Sequence, residues 1–172
     1  MTYDIFCYKP RSNTPSTEEV HAMEEEHNQA PTKEDEETKQ KIVAALLEFN
    51  PRLQIFKPDF KALAKSQNIS EEEARVQYTI VELNPPVGDL QIQLFVGGDS
   101  VGIGIPYWYE GEEAGRVFAL LNDYLRIIRR VAGFFVYDSQ REIAWDPEKS
   151  DFGSLDEYEH GVRCSRDLAK KI

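Results

Sequence analysis

Apolar residues recur with a period of two from Leu90 onward. Leu90, Ile92, Leu94 and Val96 alternate with Gln91 and Gln93, and after Gly97-Gly98-Asp99-Ser100 the pattern resumes at Val101, Ile103 and Ile105 against Gly102 and Gly104. This alternation predicts a β-hairpin with one apolar face. The period then changes. Between Glu110 and Val131, the residues Val117, Leu120, Leu121, Tyr124, Leu125, Ile128 and Val131 fall at helical spacing, with Arg116, Asn122, Asp123, Arg126, Arg129 and Arg130 on the opposite side. A long amphipathic helix with a stripe to bury follows from that spacing, and Gly133 stops it. Phe134-Phe135-Val136-Tyr137-Asp138 and Ile143-Ala144-Trp145 supply a closing hairpin across Ser139 to Glu142.

Upstream the signals are shorter. Tyr3 to Tyr8 reads as a strand with both faces at least partly covered, and Ser16 with Glu19 opens a helix anchored by Val20 and Met23. A second helix starts near Thr32, buries Ile42, Ala45, Leu46 and Phe49, and closes at Asn50-Pro51. Leu53 to Phe56 is a short strand, and Asp59 and Ser70 (with Glu73) cap two small helices. Val76 to Leu83 reads as a strand that joins the next two in an antiparallel meander. After Asp146-Pro147 the chain is polar, with Gly153 and Gly161 interrupting any long helix.

These elements predict an α+β fold: an antiparallel sheet, with the long amphipathic helix and smaller helices packed mainly on one face. A length of 172 residues fits a single domain, 1–172, with an acidic helical segment at about 14–38 and a polar C-terminal tail at about 148–172. Charged residues make up 30% of the chain and no apolar run reaches the length of a membrane span, so a cytoplasmic protein is expected. Cys7 and Cys164 lie at opposite ends without metal or redox spacing, and two reduced thiols are expected.

The net charge of −11 opposes binding to nucleic-acid phosphates. Much of it is local: Glu18, Glu19, Glu24, Glu25, Glu26, Glu34, Asp35, Glu36 and Glu37 face a single Lys33 between them. A solvated helix and linker is the plainer reading of this run; a surface for a basic partner is the functional one. His21 and His27 are six apart and share no helix face, so no metal site is predicted.

No nucleophile elbow, P-loop, zinc-protease or paired C-x-x-C motif is present, and no catalytic residue or cofactor is assigned. The run from Gly97 to Gly104 lacks dinucleotide-binding spacing and leads into a strand, so it reads as a hairpin loop. Gly102 and Gly104 leave the reverse face of their strand bare, open to another backbone, a partner or a large side chain. Arg126, Arg129 and Arg130 complement the helix dipole or bind an anion. Tyr107-Trp108-Tyr109, where strand hands over to helix, are the sharpest binding candidates, joined by Glu24, Glu25, Glu26 and Asp99. The alternative is a small hydrolase, with Asp138 or Asp146 paired to Glu110 or Glu112 in an aromatic cleft.

Through Ile105-Pro106-Tyr107-Trp108-Tyr109, the helix after it and Gly133-Phe134-Phe135-Val136-Tyr137-Asp138, the sequence resembles a group of small, uncharacterised bacterial α+β proteins. More loosely it resembles the acidic single-domain immunity proteins encoded beside secreted antibacterial toxins. The resemblance covers about Ser70 to Pro147 and brings no catalytic residue with it. It implies a cytosolic, non-enzymatic protein-binding module, an immunity protein whose partner is another protein such as a basic toxin domain.

Overall fold

A computed structural model describes residues 2–26, 31–150, 153 and 155–169; the side chains of 24–26, 162 and 164–169 lie outside that description. In chain order the elements are β1 (Thr2–Tyr8), α1 (Thr17–Glu26), α2 (Lys33–Phe49), β2 (Gln54–Ile55), α3 (Phe60–Gln67), α4 (Glu71–Gln77) and β3 (Val81–Asn84). They continue with β4 (Gln93–Val96), β5 (Ser100–Pro106), α5 (Gly111–Ala132), β6 (Phe135–Asp138), β7 (Ile143–Trp145) and α6 (Leu155–Ala169). The strands form one antiparallel sheet in the order β2-β3-β4-β5-β1-β6-β7, and the fold is α+β.

The first strand of the chain is an inner strand of the sheet. Ile5 pairs with Ile103 of β5 on one side and with Asp138 of β6 on the other. Because side chains alternate across a strand, Tyr3, Ile5 and Cys7 face one layer and Asp4, Phe6 and Tyr8 the other. The first layer is the core. Ile42 and Leu46 of α2 meet Leu94, Ile103 and Ile105 of the sheet there, together with Val117, Leu121, Leu125 and Ile128 of α5, all at most 1% exposed. Gly133 ends α5 in a left-handed conformation (φ 75°), its N–H donating to the Arg129 carbonyl at 2.8 Å.

One helix, α1, packs on the face of the sheet opposite the main core. Parity places Phe135 and Tyr137 with Tyr8, away from the main core, and Val20 of α1 packs on these three rings as a small second core. The helices α2, α5 and α6 lie on the core face. The short α3 and α4 pair with each other between β2 and β3, with Arg75 stacked 4.4 Å from the Phe60 ring centroid.

Three boundaries differ from the alternation pattern. Val76 is helical and 71% exposed, since the Ser70–Glu73 capping box and an Arg75–Glu71 pair at 2.6 Å extend α4 to Gln77, and β3 begins only at Val81. Leu90 to Ile92 is not strand: the Gln91 N–H donates to the Tyr109 hydroxyl at 2.6 Å instead of to a neighbouring strand. The polar tail holds the helix α6, which runs through Gly161. A side chain there would come within 3.1 Å of the Tyr3 hydroxyl, so this glycine lets the helix lie against a core ring. Gly98 works similarly in the β4–β5 turn, where a Cβ would fall 2.8 Å from the Asp35 backbone of α2.

Cys7 is a buried free thiol whose pKa is pushed up by burial, and the Cys164 side chain lies outside the described residues. No helix among the described residues is long and apolar enough to cross a membrane. Leu121 is 0% exposed at the centre of the α5 stripe. The Leu121→Ala variant is therefore expected to lose about 2–5 kcal/mol in urea denaturation, from transfer and cavity terms together.

Candidate functional site

The handover from β5 to α5 divides its three rings by direction. Tyr109 is 6% exposed, its hydroxyl receiving the Gln91 amide, and Tyr107 is half-buried against the main core. Trp108 is 58% exposed, its ring centroid 6.1 Å from Tyr107 and 6.0 Å from Tyr109. Two tyrosines thus seat one outward indole. Glu110, Glu112 and Glu113 follow in and before the first turn of α5, all exposed. A large flat apolar surface beside carboxylates suits an apolar contact with a cationic neighbour.

The acidic candidates lie elsewhere. Asp99 sits in the turn before β5, with its carbonyl receiving the Lys9 N–H at 2.8 Å and its carboxylate the Ser100 hydroxyl at 3.1 Å. The length of β5, at roughly 3.3 Å per residue, puts Asp99 and Trp108 roughly 20–25 Å apart, so they belong to opposite ends of the sheet. Glu24, Glu25 and Glu26 form the last turn of α1, and their side chains lie outside the described residues.

Part of the acidic run is neutralised within the fold. Lys9 reaches Glu34 at 3.3 Å and Asp35 at 3.4 Å, Lys39 reaches Glu36 at 2.6 Å, and Lys33 reaches Glu37 at 3.7 Å. Asp35 also closes a capping box with Thr32, and those hydrogen bonds, reinforced by Lys9, hold its carboxyl below its ordinary range. Four acids of the run, Glu34 to Glu37, thus form the capped start of α2, and the others described lie on α1.

The carboxylates suggested for acid/base chemistry hold structure. Asp138 is 0% exposed; its Oδ2 accepts from the Tyr3 hydroxyl at 2.5 Å, and its Oδ1 from the backbone N–H groups of Gln140 and Arg141 at 2.9 and 3.2 Å. It shapes the β6–β7 turn and ties it to β1. Asp146 is 5% exposed and forms a bidentate pair with Arg129 at 2.8 and 3.1 Å. Hydrogen bonds from that guanidinium hold the Asp146 carboxyl below its usual range. Arg129 is thereby engaged within the fold, stacked 5.0 Å from the Phe135 ring centroid. Among the described residues no His, Cys, Asp and Glu cluster could hold a metal ion.

Sequence reasoning missed Tyr3 as the partner of Asp138. Tyr3 also meets Tyr158 of α6 edge-on, ring centroids 6.0 Å apart, so this buried tyrosine joins the sheet, the last hairpin and the terminal helix. The alternation of β1 signalled its inward face, but 135 residues separate it from the acid it binds.

Burial raises the hydroxyl pKa of Tyr3 and Tyr158 above the ordinary value of 10.0, and for Tyr3 the Asp138 hydrogen bond adds to the shift. The folded state therefore keeps protons that the unfolded chain releases. Their stabilisation is complete below pH 10 and is lost as pH climbs toward the raised folded values. Urea midpoints should hold level between about pH 7 and 9 and decline above about pH 10. Tyr3→Phe, which strips a buried carboxylate of a donor, should cost about 1–3 kcal/mol at neutral pH and flatten that alkaline decline.

No protein-family model, curated protein or solved structure matches the chain, so its own side chains carry the functional argument.

Proposed function

We propose that the chain is a non-enzymatic protein-binding module, an immunity-type protein that acts in the cytosol and occludes a basic bacterial toxin. The observation that carries the reading is Trp108, 58% exposed and seated on Tyr107 and Tyr109 beside exposed glutamates. A rigid aromatic anchor loses little entropy on binding and commonly dominates an interface. The net charge of −11 would draw a basic toxin in and make association sensitive to salt. The full engagement of Asp138 and Asp146 as turn and helix anchors favours binding over hydrolysis.

Co-expression with the product of the adjacent gene tests this. A stable complex and protection of cells that express that product are the expected results. Trp108→Ala should weaken the complex at least tenfold, as for a central aromatic anchor, while changing stability by less than about 0.5 kcal/mol. Absence of both binding and protection would remove the immunity reading.

A further inference from the structure

On the sheet face opposite the main core, α1 packs at the β1–β6 side, and among the described residues Phe6 of β1 beside it is 41% exposed. Register sets Glu82 of β3, Phe95 of β4, Gly102 of β5 and Phe6 of β1 side by side in one row that runs on to Tyr137 of β6 beneath α1. The next row brings together Gln93, Gly104 and Asp4, with Gln93 hydrogen-bonded to Asn84 at 3.0 Å. The two glycines are not bare. The Phe95 ring lies over both, 3.7 Å from where a Cβ would stand on each, and Phe6 closes on Gly102 from the other side at 4.0 Å. The two rings form an aromatic floor, with Phe6 41% exposed.

Two carboxylates border this floor, and the neighbours that hydrogen-bond them are neutral. Asp4 accepts from Thr2 at 2.6 Å, and Glu82 accepts from Asn84 at 2.8 Å and Tyr78 at 3.4 Å. The described strand residues of these two rows include no lysine or arginine to balance that charge. The same chain already contains the chemistry that would: Arg129 stacks on Phe135 while its guanidinium grips Asp146. A planar guanidinium can lie on a ring and donate in its own plane to a carboxylate, whereas an ammonium offers only a point charge.

We infer that this open face is a docking surface for an arginine-bearing segment of a protein partner, with Phe95 and Phe6 as stacking floor and Glu82 and Asp4 as acceptors. The surface runs along the strands, apart from Trp108, and stands whether or not the immunity-type reading does.

The test uses the full chain, ¹⁵N-labelled, titrated with a blocked peptide alternating arginine and threonine and with its lysine counterpart. Saturable shifts should concentrate at the amides of Gly102, Gly104 and Phe95, and the lysine peptide should bind at least fivefold more weakly. Glu82→Gln, a change at the rim, should weaken arginine-peptide binding about tenfold, and Phe95→Leu should do the same with its amide spectrum otherwise retained. Absence of saturable binding would overturn the inference. So would equal affinity for the two peptides, shifts confined to the acidic helices, or light scattering that reveals a dimer closed over Phe95, which would give the face to a second copy.

Discussion

The packing of α5 across the inner strands of the sheet is the contact on which the other features depend. Its apolar stripe and the odd-numbered residues of β1 and β5 are complementary apolar surfaces, and removing both from water is the dominant favourable term for a chain of this size. Once α5 lies there, β5 must enter it by a tight reversal, and that reversal carries Tyr107, Trp108 and Tyr109. The two tyrosines are drawn inward to finish the core. Trp108, between them, is left facing water by the geometry of the turn.

Polar side chains then fasten the outlying parts to this centre. Arg129 on the last turn of α5 grips Asp146 beyond β7, Asn50 after α2 donates to the Tyr124 hydroxyl at 2.8 Å, and Tyr3 of β1 holds Asp138. A buried carboxylate without such donors would be strongly destabilising, so each of these acids requires its partner. Both aspartates that the sequence offers for acid/base chemistry are held in this way. The fold also neutralises part of its negative run through Lys9, Lys33 and Lys39, whereas Asp4 and Glu82, on the face opposite the main core, are hydrogen-bonded by neutral neighbours.

Periodicity alone was enough for the α+β class, the meander of β3 to β5, the extent of α5 and the closing hairpin. Local chemistry named the caps correctly at Asp59 and Ser70, because a cap joins residues three apart and needs no tertiary neighbour. Alternation misled where it competed with that local rule: Val76 fits a strand pattern but belongs to the helix that the Ser70 cap opens. Tyr107, Trp108 and Tyr109 were recognisable as a group, yet their division into one buried, one half-buried and one exposed ring was not.

What the sequence determined by itself were the quantities that arise within a few residues: element type, caps, the stripe on α5 and the location of charge. Tertiary structure alone decided that β1 lies between β5 and β6, that Gly161 admits α6 against Tyr3, and that Phe95 shields two glycines on a neighbouring strand. It also decided that Asp99 and Trp108 stand at opposite ends of the sheet. The reason is physical: hydrogen bonds within a turn or cap are set by local backbone geometry, whereas strand order and the burial of a ring depend on which distant surfaces exclude water together.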